Sequence, residues 1–389
     1  MNSKLFLITV AAALAATGYA QPALKDAFQK YFRVGAALNE AQFTGANAAE
    51  AALVKKQFNT ISPENVLKWE AIHPQRDQYN FIPGDHYVAF GETNQMFIIG
   101  HTLVWHSQTP DWVFQNAAGQ PADRTTLLNT MSNHIATIVG RYKGRIKGWD
   151  VVNEALADDG TLRQSPWLKI IGEDYLVKAY EFAHAADPDA ELYYNDYSIE
   201  NEPKRSGVIA LIKKLQAAGI HITAAGIQEH VHLNEPTAQQ VDEAITAFGR
   251  LGVKVNITEL DVDVLPAASP DAGADVGLRV RQNPALNPFT NGLPNSVQQA
   301  LAKRYAELFA VYLKHSHEMN RVTFWGVTDA NSWLNDWPVN GRVNYPLLFD
   351  RRGKIKPAYV SVIKIAAPTK SAGRNVSQAE SLAASKPSQ

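Results

Sequence analysis

Two glutamates, each placed at the end of a short apolar run, are the residues of this sequence best suited to chemistry. Glu154 follows the fourth predicted strand, and Glu259 ends the seventh. Taken singly, such a glutamate is more often a helix-start acid or an ion-pair partner. If their strands face each other across the mouth of one barrel, the two glutamates can act as a pair. One then gives a proton, and the other either attacks the sugar or activates water, as cleavage of a glycosidic bond requires. Their separation, which the sequence does not give, distinguishes retention at about 5–5.5 Å from inversion at about 6.5–9.5 Å.

Aromatic and polar side chains gather at the same predicted strand ends. The tryptophans there are Trp69, Trp105, Trp112, Trp325, Trp333 and Trp337. The polar residues are Glu64, Asn65, Lys68, His101, His106, Gln108, Asn195, Gln228 and His230. Indole faces pack against the C–H faces of pyranose rings, and sugar hydroxyls need polar partners. Any one of these residues could equally be a satisfied polar group, so it is their concentration that predicts a sugar-binding cleft.

Alternating strands and helices would position these residues. The predicted strands cover residues 32–37, 58–61, 96–101, 146–152, 191–195, 225–228, 253–259 and 322–327. Between them, apolar stripes such as Val241, Ile245 and Phe248 behind a capping Thr237 indicate helices. This alternation predicts a single catalytic domain over residues 21–367, an α/β fold of the (β/α)8 TIM barrel type. The alternative is a doubly wound open sheet, which usually has a GxGxxG turn after its first strand, and this sequence has none there.

The composition excludes several classes of protein. The 389 residues include 37 Lys and Arg, 38 Asp and Glu, and no Cys. A near-neutral chain has no field to attract nucleic acid or an anionic membrane. Without Cys there are no disulfides, thiolate nucleophiles or Cys-ligated zinc. We therefore expect a neutral partner and, as the simplest form, a monomer without a cofactor.

The two ends of the chain differ from the middle. Lys4, an apolar run over residues 5–16 and the small residue Ala20 predict a cleaved signal peptide over residues 1–20, too short to span a bilayer. Residues 368–389 are polar and lack aromatics, which predicts a flexible tail. The protein is therefore expected to be secreted, either to the periplasm or to the cell exterior, without a membrane anchor.

Six sequence blocks, in this order, resemble the xylanases of glycoside hydrolase family 10 over nearly all of residues 25–365. They are Glu64-Asn65 with Lys68-Trp69, HTLVWHSQTPDW (101–112), WDVVNEAL (149–156), YYNDY (193–197), ITELDV (257–262) and FWGVTDANSW (324–333). The resemblance implies a (β/α)8 barrel and retaining hydrolysis of internal β-1,4-xylosidic bonds in xylan and xylo-oligosaccharides. It also implies Glu154 as acid/base and Glu259 as nucleophile, in a cycle that needs no metal.

The same resemblance implies roles for the residues around the pair. Asn153 would hold the 2-hydroxyl of the sugar being cleaved, and Gln228 and His230 would brace Glu259. The glycone side would be lined by Glu64, Asn65, Lys68 and His101, and the walls would be formed by Trp105, Trp325 and Trp333. While Glu259 is anionic, its charge would raise the pKa of Glu154 and so keep a proton ready for the leaving group.

Two positions depart from the family pattern. Glu229 stands between Gln228 and His230 where a small residue is more usual, and Leu334 follows Trp333 where a basic residue is common. Neither belongs to the glutamate pair. They put in doubt the preferences at the flanking subsites, and leave the reaction unaffected.

Residues 261–296 show no periodicity and are rich in proline, so we expect a long loop on the aglycone side of the cleft. The loop acids Asp261, Asp263, Asp271 and Asp275 lack the spacing of an EF-hand, which makes calcium the weaker interpretation. His230 and His232 share a strand face, but further ligands are not evident, so a metal site is weaker still.

Two other functions remain open from the sequence. A barrel glycosidase acting on cellulose or mixed-linkage β-glucan would need room for the hydroxymethyl group of glucose. A non-catalytic xylan-binding protein would hold oligosaccharides without turnover, and two intact glutamates at the strand ends disfavour it.

Overall fold

Parallel strands carry the residues of interest. The computed structural model describes residues 21–268, 276 and 279–367. The predicted signal peptide (1–20) and tail (368–389) lie outside the described residues. The strands in the described part are β1 (Arg33–Leu38), β2 (Thr60–Pro63), β3 (Phe97–Val104), β4 (Gly148–Asn153), β5 (Glu191–Asp196), β6 (Ala224–Ile227), β7 (His230–His232), β8 (Lys254–Asp263) and β9 (Met319–Phe324).

All of these strands except β7 form one closed barrel. Strands adjacent in sequence pair in parallel from β1 to β6, β8 pairs with β6 and with β9, and β9 pairs with β1. Closure removes the two free edges that a doubly wound sheet would have, and it confirms the predicted (β/α)8 barrel. The short strand β7 pairs with the far end of β8, where His230 lies opposite Asp261, and it extends the rim of the barrel.

Helices follow the strands and pack around the barrel. They are α1 (Leu24–Ala27), α2 (Glu40–Phe43), α3 (Ala48–Gln57), α4 (Trp69–Ile72), α5 (Ile82–Thr93), α6 (Arg124–Arg141), α7 (Pro166–Ile171), α8 (Tyr175–Ala186), α9 (Lys204–Ala217), α10 (Ala238–Gly249), α11 (Asn295–Lys314) and α12 (Pro357–Ala366). The predicted helix behind Thr237 is α10. Thr237 and Gln240 form a reciprocal capping box at its start, and its apolar stripe is buried. In the part of the chain that the structure describes, the helices lack the length and apolar character that a bilayer crossing demands.

The predicted strand bounds are wrong beside the cleft. β8 runs on to Asp263, so Glu259 lies inside a strand, and β7, where His230 and His232 were expected to share a strand face, was not among the eight predicted strands. The missing periodicity and the prolines of residues 261–296 indicated a loop that begins at Asp261. In the structure Asp261 pairs with His230 and Asp263 with Arg342, and such partners allow charged residues in a buried strand. β8 therefore includes the first three residues of the predicted loop over 261–296, and α11 begins at Asn295, before the predicted end of that loop.

A glycine in β6 makes room for a polar side chain inside the barrel. Gly226 is paired in register with Asn195 of β5. A Cβ atom at position 226 would lie 2.6 Å from Oδ1 of Asn195 and 2.9 Å from the methyl group of Thr258. Only a residue without a side chain allows this approach, which lets Asn195 reach the glutamates described next.

Candidate active site

An open cleft of about 710 Å³ lies at the carboxyl ends of the barrel strands. The twelve residues to which the family resemblance assigns roles all line it, and they are Glu64, Asn65, Lys68, His101, Trp105, Asn153, Glu154, Gln228, His230, Glu259, Trp325 and Trp333. Trp337 also faces the cleft. Trp69 is instead buried in the core, where its ring stacks on His134 with 3.5 Å between ring centroids. The fold therefore brings the predicted site together, although not every tryptophan at a strand end belongs to it.

Glu154 is held at the end of β4 by a strained backbone and by neutral donors. Its φ of 55° is uncommon for a residue other than glycine. Its Oε2 atom accepts a hydrogen bond from the Trp105 indole N–H at 2.7 Å. Its Oε1 atom accepts from the amides of Gln228 at 2.9 Å and Asn153 at 3.2 Å. No cation takes part in these hydrogen bonds.

Burial and nearby negative charge keep a proton on Glu154. Removal from water raises the pKa of Glu154, and the charges of Asp196 and Glu259 raise it further, to about 7, although hydrogen bonds from Gln228 and Trp105 oppose this. From the sequence, we expected the charge of Glu259 to be the source of the raised pKa of Glu154. The structure shows that burial and Asp196 contribute more.

The carboxylate of Glu259 contacts one amide, from Asn195, and one imidazole, from His230. Its Oε1 atom accepts from the Asn195 amide at 2.7 Å, and its Oε2 atom contacts Nε2 of His230 at 3.2 Å. The other ring nitrogen of His230 contacts the Asp261 carboxylate at 3.0 Å. An imidazole with a carboxylate at each nitrogen must donate from both, so His230 is the imidazolium form.

The charges and hydrogen bonds around His230 and Glu259 favour a cationic His230 and an ionised Glu259. Burial favours neutral His230, but the charge and hydrogen bond of Asp261 together with Glu259 raise its pKa to about 10. Burial likewise favours protonated Glu259, but the hydrogen bond from His230 and the charge of His101 lower the pKa of Glu259 below its usual value. Glu259 is therefore ionised at the pH where Glu154 holds its proton.

Two asparagines connect the glutamates. The Asn195 amide donates both to Glu259 and to Oδ1 of Asn153, at 2.8 Å in the second case. Asn153 in turn donates to Glu154. The Thr258 hydroxyl donates to the side-chain oxygen of Asn195 at 2.6 Å and so fixes the orientation of the amide. From the sequence, Asn195 was only one of the possible sugar partners, so its role in joining the pair was missed.

The buried end of the cleft next to the pair is built around Lys68. Its Nζ atom donates to Asn65 at 3.0 Å and to Gln108 at 2.8 Å, and it lies 5.1 Å from the centre of the Trp105 ring. Burial lowers the pKa of Lys68, while the carboxylates of Glu259 and Glu64 oppose that shift. The Lys68 ammonium group therefore lies among polar side chains that can bind sugar hydroxyls.

His101 and the wall tryptophans are also oriented by buried acids. Nδ1 of His101 lies 2.9 Å from the carboxylate of Asp150, and its ring meets Trp325 edge-on at 5.5 Å. The Trp333 indole N–H donates to Asp261 at 2.8 Å. Asp150 and Asp261 were not chosen as site residues from the sequence. Their position in the WDVVNEAL and ITELDV blocks, four and two residues from a glutamate, was the available signal.

One contact differs from the implied arrangement. Gln228 was expected to brace Glu259, but its side-chain amide donates to Glu154. Only its backbone carbonyl serves Glu259, accepting from the Glu259 N–H at 2.9 Å. The left-handed backbone of the following residue, Glu229, turns Gln228 and His230 toward different glutamates.

The acids of the predicted loop have protein partners. Asp263 accepts from Asn344 at 2.6 Å and pairs with Arg342, and Asp261 serves His230. Asp271 and Asp275 lie outside the described residues. Within residues 21–268, 276 and 279–367, no group of three or more His, Asp or Glu side chains is arranged to hold a metal ion.

A (β/α)8 barrel with a protonated and an ionised glutamate in a tryptophan-walled cleft defines a barrel glycoside hydrolase. Residues 23–365 match the sequence profile of the family described as Glycosyl hydrolase family 10. The chain belongs to this family, and the resemblance drawn from the sequence blocks is confirmed.

Relatives named as xylanases align over about 90% of this chain. The sequence is 46% identical over 352 residues to endo-1,4-beta-xylanase A of Xylanibacter ruminicola, covering 90% of this chain and 95% of the relative. It is 39% identical over 351 residues to a beta-1,4-xylanase of Dictyoglomus thermophilum, covering 90% and 92%. The solved structure of a family 10 endoxylanase from a sugarcane soil metagenome superposes with a TM-score of 0.85 at 43% identity, covering 89% of this chain and 99% of the other.

Proposed function

We propose that this protein is an endo-acting xylanase that hydrolyses internal β-1,4-xylosidic bonds with retention of configuration, with Glu154 as acid/base and Glu259 as nucleophile. The observation that carries the proposal is the contrast between the two buried glutamates: the Glu154 carboxyl group accepts hydrogen bonds from neutral side chains, whereas the Glu259 carboxylate contacts His230. In keeping with this contrast, the pKa of Glu154 is raised and the pKa of Glu259 is lowered. Membership of family 10 and relatives named as xylanases support the substrate.

In the first step, the ionised Glu259 attacks the anomeric carbon, and the glycosidic carbon–oxygen bond breaks. Glu154 transfers its proton to the departing oxygen, so the leaving sugar is released as an alcohol. The Asn195 amide and the His230 imidazolium hold Glu259 ready for attack without neutralising it. The product is a covalent glycosyl ester on Glu259 and an ionised Glu154.

In the second step, Glu154 removes a proton from water, which attacks the anomeric carbon and breaks the ester bond to Glu259. The neutral ester no longer contributes its charge to the pKa of Glu154, so Glu154 becomes more acidic than in the resting enzyme. Burial and Asp196 still favour its protonated form. Glu154 therefore regains its proton from water, and the enzyme returns to its starting state.

The cleft residues bind the sugar on either side of the scissile bond. We propose that Asn153 holds the 2-hydroxyl of the sugar that becomes the ester, because its side chain contacts both Glu154 and Asn195. The proposed glycone side comprises Glu64, Asn65, Lys68 and His101, and the walls comprise Trp105, Trp325 and Trp333. Hydrogen bonds to the 2-hydroxyl that strengthen in the transition state contribute several kcal/mol, as a general estimate.

Replacement of each glutamate by alanine tests the two roles separately. We expect Glu154→Ala and Glu259→Ala both to lose the release of reducing ends from xylan. Circular dichroism should show that both variants keep the wild-type fold. Azide should restore turnover of an activated aryl xylobioside in both variants. Glu154→Ala should give the β-glycosyl azide, since Glu259 still forms the ester, and Glu259→Ala the α-azide by direct displacement. The opposite anomers would contradict the assignment.

Rates on two polysaccharides test the substrate. We expect soluble xylan to be cleaved rapidly, with an early fall in viscosity as internal bonds break. A soluble cellulose derivative should be cleaved far more slowly. Equal rates on both would favour the broader β-glucanase function, and tight xylo-oligosaccharide binding without turnover would favour the non-catalytic one.

Export and a monomeric state are also proposed. The support for export is the sequence of residues 1–20 alone. Expression of the full chain in a bacterial host, followed by N-terminal sequencing of the exported protein, tests cleavage after Ala20. Light scattering of that protein tests the monomer.

A further inference from the structure

A pair of buried carboxyl groups lies behind the cleft, outside the catalytic pair. Glu229 joins β6 to β7 and is fully buried, and Glu200, in the turn after β5, is 2% exposed. Neither residue lines the cleft. Among the described residues, both carboxyl oxygens of Glu229 and Oε2 of Glu200 lack a hydrogen-bond partner of normal geometry. Such orphaned groups are costly in a protein interior unless a proton or a neighbour compensates them.

The groups that face this pair come from several elements. The charge of Arg304 and the hydroxyl of Tyr312, both on α11, favour the ionised form of Glu229. The charge of Lys204 on α9 favours the ionised form of Glu200. The Tyr312 hydroxyl and Nε of Arg304 also lack hydrogen-bond partners within the described residues. His230, one residue from Glu229, contributes positive charge toward Glu200.

Two buried carboxyl groups that interact with each other strongly disfavour double ionisation. Burial and the charge of Glu200 raise the pKa of Glu229 well above its usual range, although Arg304 opposes this. Burial also raises the pKa of Glu200, against the opposing charges of Lys204 and His230. The most favourable charge state has a protonated Glu229 and an ionised Glu200, because a carboxylic acid can donate a strong hydrogen bond to a carboxylate.

Glu229 is connected to both catalytic groups through its chain neighbours. The residue before it donates to Glu154, and the residue after it contacts Glu259. Its own backbone is left-handed with φ of 64°, and its carbonyl accepts from the Asp261 N–H at 3.4 Å. Movement of this one residue would displace the partners of both glutamates.

We propose that Glu229 and Glu200 share one proton, and that this buried pair fixes Gln228 and His230 against the two catalytic glutamates. Glu229 is thus a positioning residue for the reaction. The positioning part rests on the function proposed above, whereas the shared proton does not.

The shared proton makes the fold sensitive to alkali. The native state keeps a proton on Glu229 that the unfolded chain releases at the usual carboxyl pKa. Its contribution to stability is therefore complete below that usual value and is lost as pH rises through the raised pKa of Glu229. Loss of the proton leaves two carboxylates that repel each other beside the site.

Three variants test the proposal, with melting temperatures measured from about pH 5 to about pH 9. Glu229→Gln keeps a neutral hydrogen-bond donor that cannot ionise, and Glu229→Gly removes the side chain while suiting the positive φ. Asp187→Asn is the control, because Asp187 is also buried but accepts from the backbone N–H of Gly144, away from the cleft. The kinetic constants kcat and KM on soluble xylan are measured for each variant.

We expect Glu229→Gln to flatten the alkaline fall in melting temperature and to retain kcat within about threefold. Glu229→Gly should lower kcat by about 10- to 100-fold with little change in KM, as expected when reacting groups are misplaced. Asp187→Asn should leave the alkaline fall and kcat unchanged. An alkaline fall in Glu229→Gln equal to that of wild type would overturn the shared proton.

Wild-type kcat in Glu229→Gly would overturn the positioning role. If Glu229→Gly does not fold, Glu200→Gln replaces it, and an unchanged kcat and alkaline fall in that variant would contradict both parts. Inactive wild-type protein on xylan would count against the proposed function, while the melting temperatures would still decide whether the proton is shared.

Discussion

The surroundings of Glu154 and Glu259 differ although both side chains are glutamates of similar burial, 5% exposed in each case. Burial and the nearby charge of Asp196 raise the pKa of Glu154 to about 7, and the hydrogen bonds to its carboxyl group, which come only from neutral donors, oppose this rise only in part. Glu259 has the His230 imidazolium at one oxygen, so its pKa falls below the usual value in spite of burial. Burial alone would protonate both groups, and the placement of His230, with a smaller contribution from the charge of His101, separates their roles.

That cation is itself maintained by a third acid. Asp261 lies two residues beyond Glu259 on β8, and it contacts the far side of His230. The Trp333 indole donates to the same carboxylate. The nucleophile region is therefore a chain of charges, whereas the acid/base region is a set of neutral hydrogen-bond donors.

Removal of the nucleophile should have the largest effect. We expect Glu259→Gln to lower kcat on xylan by on the order of 10⁵-fold, because the ester cannot form and catalytic groups act as a unit. The measurement is reducing-end release, with the surface variant Glu307→Gln as a control expected to match wild type. Activity within tenfold of wild type would show that the two regions have been assigned incorrectly.

Removal of the cation should make the two regions more alike. In His230→Asn, Glu259 loses its charged donor, so its pKa should rise and the acid limb of kcat/KM should move to higher pH. We expect kcat to fall by about 10²- to 10³-fold, the size found when one preorganised donor is removed. The exposed His221→Asn is the control. An unmoved acid limb in His230→Asn would show that His230 does not set the ionisation of Glu259.

The acid/base region is tested through Asp196. In wild type, activity should be lost as pH rises through about 7, the pKa of Glu154, because the leaving group then has no proton donor. Asp196→Asn removes one of the charges that raise this pKa, so the alkaline limb should move to lower pH. Asp196 also pairs with Lys204 at 2.9 Å, so the melting temperature should fall as well. An alkaline limb that stays in place would assign the raised pKa to burial alone.

The connection between the two regions should respond most mildly. Gly226→Ala places a methyl group 2.6 Å from Oδ1 of Asn195, which must shift away from Glu259. We expect an overpacking cost of about 1–3 kcal/mol in the free energy of unfolding, with kcat lowered several-fold. Gly140→Ala, whose Cβ would meet no atom within 4 Å, is the matched control. Equal stability and kcat in the two variants would show that the position of Asn195 does not matter for the reaction.

The barrel and the catalytic pair could be predicted from sequence because local patterns carry them. Strand and helix periodicity is encoded in neighbouring residues, and both glutamates lie in short blocks with apolar strands before them. The partners could not be predicted in the same way, since they depend on contacts across the barrel. Asn195 reaches Glu259 from a position 64 residues earlier in the chain.

Two errors have the same physical origin. Gln228 and His230 are close in sequence, yet the left-handed backbone between them directs one to Glu154 and the other to Glu259. Asp261 was assigned to a loop because residues 261–296 lack periodicity and are rich in proline, and only the fold supplies the His230 partner that allows Asp261 to lie in a buried strand. Residue type predicted the kind of site, while through-space pairing determined which group holds the proton.

The central claim is that the resting enzyme holds its proton on Glu154 and its charge on Glu259. Carbon-13 NMR titration of the two side-chain carboxyl groups, assigned with Glu154→Gln and Glu259→Gln, measures this directly. The account predicts that Glu154 titrates near 7 and Glu259 below its usual value of 4.5. A Glu154 carboxyl that titrates at or below the pKa of Glu259 would contradict it.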